Sequence, residues 1–208
     1  MNQMQRANFI QKTLDRLFPD PSIPLQFENP YTLLIAVLLS AQSTDIRVNQ
    51  CTPTLFAKAV SPEQMVKLSV NEIEEIIRPV GLAPKKAKAI WHLSQQLIDK
   101  HHGEVPSNFK DLEDLPGVGH KTASVVMVQA FHLPAFPVDT HIHRCAKRWG
   151  LSSGTTVEKT EHDLKKLFPK NSWGKIHLQM IYFARTFCKA RGHHIAQCPI
   201  CNELKETQ

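Results

Sequence analysis

Apolar residues recur along most of this 208-residue chain at the three-and-four spacing that gathers them on one face of an α-helix. That period predicts helices over residues 6–18, 31–39, 46–57, 62–68, 70–77, 84–100, 109–112, 121–131, 140–149, 156–167 and 173–188. No run alternates apolar and polar residues with the β-branched enrichment of a strand, so the predicted fold class is all-α. Prolines agree with these boundaries. Pro19, Pro21 and Pro24 detach the first helix, Gly81 and Pro84 break the middle, and Pro134 and Pro137 follow the helix of 121–131. Ala135-Phe136-Pro137-Val138 reads as a crossing between two lobes.

Composition narrows the picture. With 42% apolar residues the chain can bury a core as one compact protein, or as two interleaved lobes of roughly 100 residues each, without disulfide staples. The formal charge is +6, and basic residues cluster at Lys85-Lys86-Lys88, Arg144-Lys147-Arg148, Lys165-Lys166 and Lys189-Arg191. This bias favours a polyanion such as nucleic acid, although many proteins of similar charge bind none. Residues 1–11 are polar, and the longest apolar run, 31–39, is too short to span a membrane. The expectation is a soluble, intracellular monomer. Cys188, Cys198 and Cys201 gather near the C-terminus, where a reducing compartment favours metal ligation over disulfides.

The densest chemistry lies in Leu115-Pro116-Gly117-Val118-Gly119-His120-Lys121-Thr122-Ala123. Two glycines pinch a turn where backbone must fold tightly and approach another molecule, and an apolar helix follows. Amides at the start of that helix suit an anion. Lys121, at the mouth of the turn, is either a phosphate partner or a nucleophile. A nucleophilic lysine must be partly unprotonated, against an ordinary pKa of about 10.4. Asp139, directly before the helix at Thr140, is either an N-cap or a carboxylate that stabilises a cation. Gln42 closes an apolar helix, and Leu82 sits in a glycine loop. On sequence alone Gln42 reads as a solvated terminus, and Leu82 can also be a leucine tucked into its own loop.

The Leu115–Ala123 segment resembles the helix-hairpin-helix of DNA glycosylases, and specifically the endonuclease III family. Leu38-Leu39-Ser40-Ala41-Gln42 with Thr44-Asp45, then Val80-Gly81-Leu82, then Val138-Asp139-Thr140-His141 match that family in order and spacing. The resemblance implies a helix-hairpin-helix DNA glycosylase fold: two helical lobes with a cleft between them. Residues 23–133 would form a helical barrel containing the hairpin at about 108–128. Residues 1–22 and 134–208 would form the second lobe.

It also implies a bifunctional enzyme of base-excision repair, which removes oxidised pyrimidines from double-stranded DNA and cleaves the abasic site by Schiff-base β-elimination. Lys121 and Asp139 would be catalytic. Gln42, Leu82, Gly117, Val118, Gly119, His120 and His141 would contact DNA, with Gln42 and Leu82 filling the space left by a flipped base. His143 stands at a position that is often aromatic in the family. Two alternatives stay open: a non-enzymatic DNA grip built on the same hairpin, and a monofunctional glycosylase that leaves the strand intact.

Cluster-bearing members hold a [4Fe–4S] centre on four cysteines spaced by about six, two and five residues. This chain departs from that pattern. Residues 189–197 separate Cys188 from Cys198, and the fourth expected position is Thr207. Three outcomes remain: a cluster completed by His193 or His194, a Cys₃His zinc site, or a tail without metal.

Overall fold

The structure is a computed structural model that describes residues 1–206; its regular elements are all helical, with no strand among the described residues. The chain divides into two compact units, Pro24–Leu133 and Met1–Ile23 with Pro134–Gln208.

The first unit contains α2 (Pro30–Ser40), α3 (Asp45–Lys58), α4 (Pro62–Met65), α5 (Val70–Ile76), α6 (Ala83–His101), α7 (Phe109–Glu113) and α8 (His120–Phe131). Helix α2 is its axis. Pro30 sits in its first turn, and the Asn29 side chain caps it by accepting from the Thr32 amide. Every residue from Tyr31 to Leu39 is buried, so α2 is apolar all round because α3, α6 and α8 pack on it. Helix α6 is amphipathic, burying Ala83, Ala87, Ile90, Leu93 and Leu97. Its Ser94 hydroxyl pairs with the buried Tyr31 hydroxyl at 2.6 Å. Between α7 and α8 the chain makes the glycine turn of residues 116–119.

The second unit contains α1 (Gln3–Leu17), α9 (Thr140–Arg148), α10 (Val157–Leu167), α11 (Trp173–Thr186) and α12 (Pro199–Glu206). Its core joins Ile10 and Leu14 of α1 with Phe136, Ile142, Trp149, Leu164, Met180 and Phe183. Trp149 meets Phe183 edge-on with ring centroids 5.4 Å apart, an arrangement worth about 0.5–1.5 kcal/mol beyond the area it buries.

Most boundaries fall within a residue or two of the periodic reading, and α4 ends three residues early, at Met65. Helix α1 starts three residues early because Asn2 and Gln5 form a reciprocal capping box, which satisfies amides in a stretch with no apolar period. Helix α11 stops at Thr186, and α12 was not predicted. It is short and begins Pro-Ile-Cys, so periodicity had too few residues to register, yet Ile200 and Leu204 complete the core.

Candidate functional site

In the Pro24–Leu133 unit, three of the singled-out segments converge on the end of α2 and the first turns of α6. At the hairpin, Gly117 has φ +81°, and a Cβ there would lie 2.9 Å from Ala89 Cβ and 3.1 Å from Leu38 Cδ1. The turn is therefore pressed against α2 and α6 and needs glycine twice over, for conformation and for space. Gly119 has φ −100°, which any residue adopts, and a Cβ there would meet nothing within 4 Å. His120 ties the hairpin to α7, with Nδ1 2.7 Å from Glu113 Oε1 and its ring stacked on Phe109. Lys121 follows in the first turn of α8, exposed, and its ammonium has no partner among the described residues.

Gln42 and Leu82 both occupy the left-handed region, at φ 54° and 62°. For residues bearing a Cβ this costs roughly 1–2 kcal/mol each. Their loops adjoin, since a Cβ on Gly81 would stand 3.5 Å from the Gln42 carbonyl oxygen. Leu82 is 54% exposed, so it is not tucked into its loop. Thr44 caps α3, accepting from the Arg47 amide, and Asp45 lies in that helix's first turn.

The two loops share a brace. Lys86, 6% exposed, donates from Nζ to the carbonyls of Leu39 at 2.9 Å and Ala41 at 2.7 Å. It satisfies the orphan acceptors at the end of α2 and fixes them to the start of α6. Burial pushes the Lys86 pKa below the ordinary lysine value.

In the second unit, Asp139 is the N-cap of α9, half-buried, with Oδ1 accepting from the Ile142 amide at 2.9 Å. Capping and catalysis are compatible, since the bond from Ile142 occupies only one of the two carboxylate oxygens. The approach to Asp139 is rigid: residues 135–138 are buried, and His177 Nδ1 donates to the Pro137 carbonyl at 2.8 Å. His141 lies 3.3 Å from Arg144 Nη2. His143 Nδ1 is 2.8 Å from the Thr160 hydroxyl, which itself donates to the Thr156 carbonyl. His143 is thus the donor that pins α9 to α10, a job open to few aromatic residues.

The terminal cysteines converge. Donor atoms of Cys188, His193, Cys198 and Cys201 all lie within 4.8 Å of one another, and Cys188 and Cys201 Sγ are 3.9 Å apart. Hydrogen bonding from Cys145 first, then from Cys198, Cys201 and Arg148, holds the Cys188 thiol well below its ordinary range against the opposing effect of burial. Such a Cys/His group can hold a metal. Thr207 lies outside the described residues.

The model of the HhH-GPD superfamily of base excision DNA repair proteins matches residues 35–170. Endonuclease III of Bacillus subtilis (strain 168) is 40% identical over 212 residues, covering 100% of this chain and 95% of that protein. Endonuclease III of Escherichia coli (strain K12) is 39% identical, covering 96% and 94%.

The chain belongs to the endonuclease III family.

Among solved relatives, an endonuclease III in a non-covalent DNA complex superposes with a TM-score of 0.93 at 41% identity, over 100% of this chain and 99% of that one. One trapped as a covalent intermediate with DNA superposes with a TM-score of 0.92, also at 41% identity and over 100% and 99% of the two chains. As an endonuclease III family member the chain is a base-excision repair enzyme, a DNA glycosylase and abasic-site lyase. Among the described residues no helix is long and apolar enough to cross a membrane.

Val118 has a structural part in the hairpin. Val118 is buried, at 7% exposure, and its amide already donates to the Leu115 carbonyl at 3.0 Å. It builds the turn, with its amide satisfied inside the hairpin. Gly119 and Lys121 keep amides without partners among the described residues. Lys86 and His177 were missed by sequence reasoning. Lys86 falls on the Ala83–Ala87–Ile90 face of α6, a periodic clue that it points inward. His177 is an ordinary histidine inside an apolar helix, with no signal in the sequence for its partner.

Proposed function

We propose that this endonuclease III family enzyme removes oxidised pyrimidines from duplex DNA inside the cell and then cleaves the abasic site through Lys121. The observation that carries the reading is the hairpin itself. Gly117 locks the turn, and an exposed lysine with no partner among the described residues follows in the first turn of α8, beside the open amides of Gly119 and Lys121.

Those amides and the positive helix end grip a phosphate of the damaged strand. Gln42 and Leu82, held in the left-handed region, enter the stack where the base has left it. The neutral Lys121 amine attacks the sugar C1′ and the base departs with its bonding electrons, taking up a proton. Loss of the amine proton and opening of the sugar ring give a Schiff base, whose electron-sink character allows β-elimination of the 3′ phosphate. Asp139 stabilises the cationic sugar during departure and receives or relays the amine's proton. His141 supports the site by hydrogen bonding. A solved endonuclease III trapped as a covalent intermediate with DNA supports this chemistry.

Borohydride reduction during incubation with abasic-site duplex tests it. The parent chain forms a trapped covalent complex, Lys121→Gln forms none while still binding the duplex, and Asp139→Asn forms it at least about tenfold more slowly. Asn caps a helix as well as Asp does, so Asp139→Asn keeps its thermal stability. Trapping that persists in Lys121→Gln ends the assignment. Release rates from a panel of damaged bases fix the substrate class.

A further inference from the structure

We propose that Cys188, His193, Cys198 and Cys201 bind one divalent metal ion of the zinc class in tetrahedral Cys₃His coordination, in place of a four-iron cluster. Distance separates the two. Around a tetrahedral ion with bonds of about 2.3 Å to sulfur and about 2.0 Å to nitrogen, neighbouring donor atoms lie about 3.5–3.8 Å apart. Here two sulfurs are 3.9 Å apart and all four donors lie within 4.8 Å. A [4Fe–4S] cubane binds each thiolate to a separate iron at its own corner, which holds the ligand sulfurs about 6 Å apart. Donors this close leave room for one ion and none for a cage of irons and sulfides.

A second observation identifies the fourth ligand. His193 Nε2 is buried and has no hydrogen-bond partner among the described residues, whereas His194 is exposed. An orphaned buried nitrogen costs about 1–3 kcal/mol, and a metal bond removes that cost. Three thiolates and a neutral imidazole are the donor set of structural zinc sites.

The supports are already in place. Cys188 follows α11, with its amide donating to the Phe183 carbonyl at 3.2 Å, and Cys198 and Cys201 frame the start of α12, where the Asn202 amide donates to the Cys198 carbonyl at 2.9 Å. Three thiolates around a divalent ion leave a net negative charge, and Arg148 Nη1 donates to Cys188 Sγ at 3.3 Å and to the Lys189 carbonyl at 2.8 Å. Cys145 is buried beside Cys188 but outside the four-donor group. Metal binding releases the thiol protons to solvent. With all four positions supplied by protein, the ion has no open site for water or substrate and acts by fastening α12 to the core.

Metal analysis of the full chain, purified anaerobically from cells supplied with both iron and zinc, is the test. The expected result is zinc at one per chain without stoichiometric iron. After removal of zinc, titration with Co²⁺ gives tetrahedral d–d bands and thiolate charge-transfer absorption. His193→Ala weakens Co²⁺ binding about tenfold or more, and His193→Cys restores tight binding with the spectrum of four thiolates. Cys145→Ser and His194→Ala leave affinity unchanged. Iron near the cluster stoichiometry with cluster absorption overturns the proposal, as does a chain that gives no Co²⁺ bands, or full affinity in His193→Ala.

Discussion

A methyl group on Gly117 would collide with Ala89 and Leu38 in a backbone already at φ +81°, whereas one on Gly119 would project into open space from an ordinary extended residue. The two substitutions should therefore separate folding from binding. Gly117→Ala loses about 1–3 kcal/mol of unfolding free energy in urea titrations. Gly119→Ala, which replaces the N-cap of α8, costs only about 0.5–1 kcal/mol but binds abasic-site duplex several-fold more weakly, because on the proposed function its methyl would stand where a phosphate approaches. Unchanged DNA affinity in Gly119→Ala would show that this side of the hairpin does not face the ligand. Both glycines were conspicuous in the sequence, yet their different roles were not, because φ and the neighbouring Ala89 are consequences of packing between helices distant in sequence. The same holds for Asp139, whose capping bond to Ile142 is local and was legible, while its anchoring through Pro137 and His177 spans 40 residues.

Between elements, the telling contact is the one Lys86 makes from α6 to the end of α2. Replacing it by Met keeps the stem's volume and leaves the Leu39 and Ala41 carbonyls without their donor, at a cost of about 1–3 kcal/mol. Since those carbonyls immediately precede Gln42, and Leu82 precedes α6, Lys86→Met should also reduce base extrusion, read by a fluorescent base analogue in the duplex. A variant that is less stable yet extrudes the base normally would confine Lys86 to a structural role. Burial lowers the Lys86 pKa, so on raising pH the folded chain releases this proton before the unfolded chain does. The parent therefore gains stability relative to Lys86→Met from the lowered value up to about pH 10.4. Helix-level reading found every long helix from its period, and it found the strained loops as motifs. It missed α12, which is too short for a period, and it missed the brace, because a lysine in a basic run looks like a solvated one.

For the molecule as a whole, the +6 charge predicts DNA binding that weakens steeply with salt. In Lys121→Gln, where no chemistry intervenes, log affinity should fall linearly with log salt at about 0.9 per phosphate neutralised. A flat salt dependence would mean that the basic clusters lie away from the bound strand. Charge, helix periodicity and the motif order were properties of the chain alone, because each depends on neighbours within a few residues or on a simple sum. They determined an all-α fold and the endonuclease III resemblance and favoured a polyanionic partner, and the matched relatives bear these out. Tertiary structure decided what depends on distances between remote residues: that Gln42, Leu82 and the hairpin converge on one end of α2, that Val118 builds the turn, and that His193 joins three cysteines within 4.8 Å. Spacing along a chain states which ligands are available. Only folding sets how far apart they stand, and that separation distinguishes a single ion from a cluster.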